Sequence, residues 1–386
     1  MFNTLNKYKW FPPAETKIPL SSILKSLLPT KSNFKQELCN YLGVQHCILA
    51  GSGRALLAEL LQALKNQDNE RRDEVLIPGY TCYSVAASIA RAGLKIRVYD
   101  IEPETFSPDI ESVEHNINGK TLAILSQHLF GIPAPVDEFH GIAQKNNITH
   151  IEDAAQGLGG TLSGRPLGVT GDFGLFSFDR GKSLPLGCGG ALIGSNKVVL
   201  DKIHSGRRTK GFKQLAVTGC TQILSHPRIY GVLEALPLGL GETIFDPSFT
   251  AKSMPETLDR LGTRTLSTLK DLNVHRNTIA KVYTDNLPQD TTISISNDAR
   301  PVYTRFPVMT SKLNQDIPET LKRYGVRRMY PNAIIDVPAI RPYLSDHNQT
   351  TPGAAIIAQK LATLPTHKNI SENTAQDIAS QVENHV

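Results

Sequence analysis

The sequence predicts an α/β protein in which a largely parallel sheet is covered by helices on both faces. Short β-rich runs recur along the first half: VLIP at 75–78, IRVYDI at 96–101, LAILSQ at 122–127 and ITHIED at 148–153. Segments of helical period separate them, among them Ser84–Ala92 and Val136–Asn146, and alternation of this kind builds a parallel sheet with crossover helices. The run VQHCILAGSG at 44–53 also passes from a strand into a glycine turn, and Arg54–Leu64 follows with apolar residues at helical spacing. That order presents backbone N–H groups at a helix N-terminus, a ready anion site, although a plain strand-to-helix turn reads the same way.

Met1–Ser32 is irregular and contains prolines, with a short apolar helix expected over Leu20–Leu28, and reads as an arm packed on a neighbour or on the main body. Phe34–Leu42 reads as a helix. Beyond the sheet, SGRRTKGFK at 205–213 is strongly basic, either a solvated surface run or a clamp for a nucleotide diphosphate. Gly231–Phe249 is rich in glycine, proline and apolar residues and is expected to cover an interface or the mouth of a site. Met254–Leu287 reads as one long amphipathic helix, its stripe made by Leu258, Leu261, Leu266, Leu269, Leu272, Ile279, Val282 and Tyr283. After Pro288 the β-like YTRFPVM, a helix over Pro318–Tyr324 and a final helical segment suggest a smaller α/β unit. The expected division is an arm at 1–32, a large domain at 33–255, and a linking helix with a small C-terminal domain at 256–386.

Composition narrows the function classes. With 386 residues, 40% hydrophobic and 20% charged, the chain can bury a substantial core. A net charge of +5 without a block of like charge gives nucleic-acid binding little support and suits a phosphate-bearing small substrate. The five cysteines are scattered with no CxxC pair, so neither a disulfide framework nor a zinc site is indicated. No apolar run approaches the roughly 18 residues of a membrane span, and no charged-then-apolar leader opens the sequence. The expectation is a cytoplasmic protein.

The chemistry concentrates in Ile151–Gly190, IEDAAQGLGGTLSGRPLGVTGDFGLFSFDRGKSLPLGCGG. An apolar strand ends on Asp153, a glycine-rich connection leads to the β-like GDFGLFSF, and Lys182 follows among Gly181, Ser183, Gly187, Gly189 and Gly190. A loop lysine is most often a solvated one. A site that desolvates the amine, or sets it beside another cation, lowers its pKa from about 10.4 and leaves a nucleophile for a carbonyl. Asp153 closes a strand where an open α/β sheet presents side chains to a ligand. There a carboxylate could keep the pyridine nitrogen of pyridoxal phosphate (PLP) protonated. Gln156 lies one helical turn on if a helix begins here, and Ser177, at the end of the second strand, could reach a phosphate.

IEDAAQ, then GDFGLFSF, then a lysine before GCGG resembles the DegT/DnrJ/StrS family of fold type I PLP enzymes, mostly sugar-nucleotide aminotransferases. SGRALL at Ser52–Leu57 resembles that family's phosphate-binding SGTAAL, EVLIPGYTCYSVAASIARAGLKIRVYDIEPETF its next strand, helix and strand, and QHLFGIPAPVDE its VHLYGxPADMD. The likeness runs unbroken over roughly residues 40 to 195 and is weaker after about 255, where RRMYPN at Arg327–Asn332 resembles the segment lining the substrate mouth.

The resemblance implies a seven-stranded, mostly parallel sheet in the large domain. It makes Lys182 the Schiff-base lysine, Asp153 the pyridinium partner, Gln156 a contact to the cofactor ring, and Ser177, Gly53 and Arg54 the phosphate cradle. Cys82, flanked by Tyr80 and Tyr83, stands where many members stack an aromatic ring on the cofactor. Arg54 replaces a hydroxyl residue, Leu186-Gly187-Cys188 replaces Thr-Gly-Glu, and the asparagine loop that a partner subunit usually contributes is not recognisable. The implied activity is amino transfer from an amino acid, glutamate by expectation, to a keto sugar nucleotide in amino-sugar or surface polysaccharide biosynthesis, by a homodimer. A sugar dehydratase on the same fold, whose members carry histidine in place of the lysine, and a non-catalytic ligand-binding homologue are the alternatives. His128 reads as a general acid or a structural residue at the rim. Cys82 and Cys188 read as small packing residues near the pocket.

Overall fold

The computed structural model describes residues 9–384 apart from 16, 70, 204–205, 207–208, 235–243 and 314–315. The strands before residue 195 are β1 (Cys47–Ala50), β2 (Glu74–Pro78), β3 (Lys95–Tyr99), β4 (Thr121–Gln127), β5 (Thr149–Asp153), the short β6 (Thr161–Leu162) and β7 (Arg165–Pro166), β8 (Phe173–Ser177) and β9 (Gly190–Gly194). Seven form one sheet in the order β1-β9-β8-β5-β4-β2-β3. Neighbours from β3 to β8 run parallel, while β9 pairs antiparallel with both β8 and β1. All five residues of β2 and the first six of β4 are buried, as expected of strands covered on both faces.

The covering helices are α1 (Leu20–Lys25), α2 (Phe34–Leu42), α3 (Gly53–Gln67), α4 (Tyr83–Arg91), α5 (Ile110–Asn116), α6 (Val136–Asn146), α7 (Lys197–Leu200), α8 (Phe212–Leu224), α9 (Tyr230–Glu234), α10 (Glu256–Thr265) and α11 (Leu269–Asn286). Local chemistry sets several ends: Ser52 caps α3 by accepting from Ala55 N at 3.3 Å, and Gly43, with φ +70, ends α2. The α2 and α6 boundaries agree with the periodicity, whereas α3 runs to Gln67 and α1 stops at Lys25.

The long helix expected over Met254–Leu287 is interrupted by a 3₁₀ turn at Leu266–Thr268. At the break two threonine hydroxyls bond back to the helix backbone, Thr265 Oγ1 donating to Leu261 O at 2.8 Å and Thr268 Oγ1 to Thr265 O at 2.7 Å. The expected apolar stripe is still buried, with Val282 half-buried. Leu258, Leu261 and Leu269 join Phe34, Phe176 and Phe178 in one cluster. Ile279 and Tyr283 join Ile378 and Val382 of the helix Glu372–Glu383 in another, beside a small sheet whose middle strand is Leu361–Leu364. Fully burying each such side chain stabilises the fold by about 1.5–3 kcal/mol, so α11 is tied to both clusters and its inner face has little freedom to move.

Ahead of α1, Trp10 N and Phe11 N donate to Pro227 O and Arg323 O, and Ile18 N donates to Gln222 Oε1, so the described part of the arm lies on the main body. Arg207 and Arg208 of the basic run, and much of the Gly231–Phe249 stretch, fall outside the described residues.

Candidate active site

The carboxyl ends of β4, β5 and β8 open on a cavity of about 1070 Å³, the place where open α/β sheets take ligands. All seven residues singled out from the sequence line it: Gly53, Arg54, Cys82, Asp153, Gln156, Ser177 and Lys182. They come from four separate chain segments, so the convergence is a property of the fold.

Strand alternation sorts the two carboxylates at the end of β5. Glu152 turns away from the opening. Its Oε1 accepts from Thr170 N and Gly171 N, both at 2.5 Å, and its Oε2 from Gly168 N at 2.9 Å and from His128 Nε2 at 3.0 Å. Burial works against its charge, yet the His128 and backbone donors hold its carboxyl below the usual range. Asp153 faces the cavity and is 8% exposed. Burial pushes its carboxyl up, opposed by the Ala155 N–H at 3.0 Å and by the charge of Lys182. The result is a buried acceptor at the cavity floor that a ligand cation or an N–H would relieve.

Both nitrogens of His128 are engaged, Nδ1 accepting from Ala134 N at 3.1 Å while Nε2 faces Glu152. An Nδ1 that accepts an amide proton carries none, so Nε2 donates and the tautomer is set. Of its two sequence readings, His128 therefore takes the structural one: it fixes Glu152 and has no proton to hand to the cavity.

At another wall the first turn of α3 presents amides that the helix itself leaves unpaired. Close approach makes this possible. A side-chain carbon at Gly190 would lie 2.5 Å from Gly53 N, and one at Gly53 would lie 3.1 Å from Phe176 O, so α3 meets β8 and β9 backbone to backbone. Ser177 ends β8 beside it, its Oγ accepting from Asp179 N at 3.4 Å. The guanidinium of Arg54 stacks on the Phe249 ring at 4.8 Å, which orders a long side chain at the rim.

The Lys182 loop is shaped by contacts on both sides. Leu186 N donates to Phe178 O at 2.8 Å, and Thr218 Oγ1 of α8 donates to Leu186 O at 2.9 Å. Gly187 has φ +95, and a side-chain carbon there would sit 2.2 Å from Thr218 Oγ1, so the position next to Cys188 needs glycine on both counts. Cys188 and Cys82 both line the cavity, and burial pushes the Cys188 thiol up to about 11, keeping it protonated and unreactive. Tyr330, from the RRMYPN segment, also lines the cavity, with φ +43. Thr81 Oγ1 and Gln127 Oε1 are buried on this cavity without a hydrogen-bond partner among the described residues. Such a donor set fits a ligand with an anionic group for the α3 end, a basic ring nitrogen for Asp153 and a carbonyl for Lys182.

A family model, the DegT/DnrJ/EryC1/StrS aminotransferase family, matches residues 20–383. The chain belongs to this family. Within it, one relative is a putative L-glutamine:3-amino-2,3-dideoxy-scyllo-inosose aminotransferase of Streptoalloteichus tenebrarius, 32% identical over 187 residues, or 47% of this chain and 44% of that protein. Another is the UDP-N-acetyl-3-dehydro-alpha-D-glucosamine 3-aminotransferase of Acidithiobacillus ferrooxidans, 30% identical over 175 residues, 45% of this chain and 47% of that protein. The matched stretches span about half the length of these curated relatives. Among solved structures, the PLP form of the putative sugar aminotransferase Spr1654 from Streptococcus pneumoniae superposes with a TM-score of 0.75 at 20% identity, covering 97% of this chain and 98% of that one. The fold is thus that of the fold type I enzymes, with the expected seven-stranded, mostly parallel sheet.

Several residues in and around this cavity escaped the reading of the sequence. Glu152 was masked by its neighbour. Phe249 and Lys252, which also line the cavity, lie in a stretch with no periodicity. Asn273 and Arg276 had a readable signal, two polar residues three apart within an otherwise apolar stripe, and both are buried, 8% and 3% exposed.

Proposed function

We propose that this protein is a PLP-dependent aminotransferase that moves the amino group of an amino acid onto a keto sugar nucleotide. What carries the reading is the presence of Lys182 and Asp153 in one cavity whose wall is the amino end of α3. PLP, when bound, supplies a sink for the electron pair left as a substrate carbon loses its proton. Lys182 would be the residue that holds the cofactor, and its amine, when free, would be the base that moves the substrate proton. Asp153 keeps the ring nitrogen protonated, and Gln156 contacts the ring. Ser177, Gly53 and Arg54 take the phosphate, Arg54 with the planar fork suited to it. The cavity exceeds what a cofactor fills, and Lys213 and Lys252 on its lining suit a phosphorylated acceptor. The UDP-sugar aminotransferase of Acidithiobacillus ferrooxidans supports that acceptor class, and the L-glutamine aminotransferase of Streptoalloteichus tenebrarius makes glutamine a donor to test beside glutamate.

We also read the protein as a homodimer. Leu20, Leu24, Leu27 and Leu28 in and just after α1 are 46–65% exposed, as are Phe212, Val217 and Ile223 of α8 at 52–53%, an apolar face that a second copy would cover. Among the described residues no helix is long and apolar enough to cross a membrane.

The test has two parts. Borohydride treatment of the PLP-loaded protein should fix the cofactor to the peptide holding Lys182; label on another lysine sinks the site assignment. Glutamate or glutamine alone should then release one 2-oxo acid per site, and a keto sugar nucleotide should be needed to complete the cycle. No release from any amino acid would remove amino transfer. Completion by pyruvate as readily as by a sugar nucleotide would remove the substrate class alone.

A further inference from the structure

Two loops deliver the site, one running on from Asp153 and one holding Lys182, and α11 reaches both from outside the cavity. Arg276 Nη1 donates to Ser183 O, and Arg276 Nη2 to Lys182 O and Ser183 O, each at 3.4 Å. The same guanidinium donates to Asn273 Oδ1 at 2.6 Å, and Asn273 Nδ2 donates to Leu158 O at 3.2 Å. Ser183 Oγ closes the circuit by donating to Gln156 O at 3.2 Å. A side-chain carbon at Gly159, φ +89, would fall 2.3 Å from Asn273 Nδ2, so the first loop is shaped to admit that amide.

From this geometry we infer that Arg276 and Asn273 are positioning residues that hold the Lys182 loop in register with the Asp153–Leu158 loop, an inference that rests on Lys182 being the cofactor lysine. Lysine has a flexible four-carbon stem, so the placement of its amine is only as good as the placement of its backbone. A carbonyl on Lys182 itself, gripped by a planar fork anchored in a rigid helix, supplies that placement. Burial lowers the Arg276 guanidinium to about 10, which leaves it a cation at neutral pH and its donors charge-assisted. Arginine suits the task where lysine would not, because one flat group must reach two adjacent carbonyls and an amide oxygen at once. Neither residue lines the 1070 Å³ cavity, so their effect on chemistry passes through the loops.

The experiment uses the full chain as Arg276→Gln, Arg276→Lys and Asn273→Ala, with Lys182→Ala as reference. Backbone hydrogen exchange over residues 180–187 is followed without ligand. The rate at which added PLP becomes borohydride-fixable at Lys182, and the pH dependence of its visible absorbance, are followed with it. Arg276→Gln should speed exchange in that loop and slow fixation by about tenfold or more, the loss of one charge-assisted bond, with the absorbance titration displaced. Arg276→Lys should recover only part, and Asn273→Ala, which leaves the cation in place, should move the same readouts less. Should Arg276→Gln unfold, Asn273→Ala decides: unchanged exchange, fixation rate and titration in that folded variant overturn the inference. The same three unchanged in folded Arg276→Gln overturn it too. Fixation that survives Lys182→Ala refutes the cofactor assignment and with it the catalytic sense of the clamp, while the exchange arm still reports whether the clamp on the loop exists.

Discussion

Replacing Glu152 by glutamine removes one charge and changes one oxygen to an NH2, yet the structure makes it a severe change. Each carboxylate oxygen of Glu152 accepts from two donors, Thr170 N and Gly171 N on one, Gly168 N and His128 Nε2 on the other. In either orientation of the glutamine amide, its NH2 meets two donors, and two N–H groups lose their acceptor. Hydrogen bonds to a charged group contribute about 1.5–3 kcal/mol each, so losing two should make Glu152→Gln cost about 3–6 kcal/mol. Denaturant unfolding followed by tryptophan fluorescence and circular dichroism measures this. The folded-state carboxyl is held below its usual range, so its contribution is present above the unfolded pKa and is lost as pH falls through the folded one. The gap between parent and variant should therefore narrow in acid. A cost under about 1 kcal/mol at pH 7, or a gap that does not narrow, would refute the assignment of Glu152 as the anchor of the 168–171 turn.

The neighbouring Asp153→Asn should behave oppositely: burial is what raises this carboxyl, so the neutral amide should leave the unfolding midpoint at or above the parent value. Turnover should fall by about a hundredfold or more if Asp153 holds the ring nitrogen, and an equally active variant would remove that role. His150 and His367 are both buried and lowered from 6.5 to about 4. The unfolded chain thus takes up protons before the folded one does, and stability should decline as pH falls from about 6.5 to 4, by up to about 3 kcal/mol per histidine. Thermal unfolding at pH 7 and pH 5 tests this, and equal midpoints would contradict it; His150→Gln should flatten the decline. Gly187→Ala should cost about 2–4 kcal/mol, from its left-handed backbone and its collision with Thr218 Oγ1. Combined with Thr218→Ala it should cost less than the sum of the two changes, and strict additivity would show that the collision is not what glycine avoids.

Much of this protein was written locally. Runs such as VLIP and LAILSQ are apolar enough to be strands buried on both faces, and helical spacing located α2 and α6. The order of Asp153, Ser177 and Lys182 could be read because short segments between strand ends leave few places for them to go. Other features depended on partners far along the chain. Adjacent strand residues point to opposite faces whatever the fold, but only the packing of Gly168–Gly171 beneath β5 decided that Glu152 serves the turn and Asp153 the cavity. The apolar spacing of Met254–Leu287 runs through Leu266–Thr268 without a mark, and the break there, where the Thr265 and Thr268 hydroxyls bond to backbone carbonyls, is visible only in the fold. His128 could have been an acid or a strut until Ala134 N and Glu152 occupied both its nitrogens. Arg276 and Lys182 are 94 residues apart, and no periodicity spans that distance. By itself the sequence determined the alternation of strands and helices up to Asp153 and which side chains could do chemistry, because those follow from spacing and residue type. Which of those side chains share one cavity, and which instead hold it open, was decided by the tertiary structure, because a buried polar group must find its partner wherever the fold brings one.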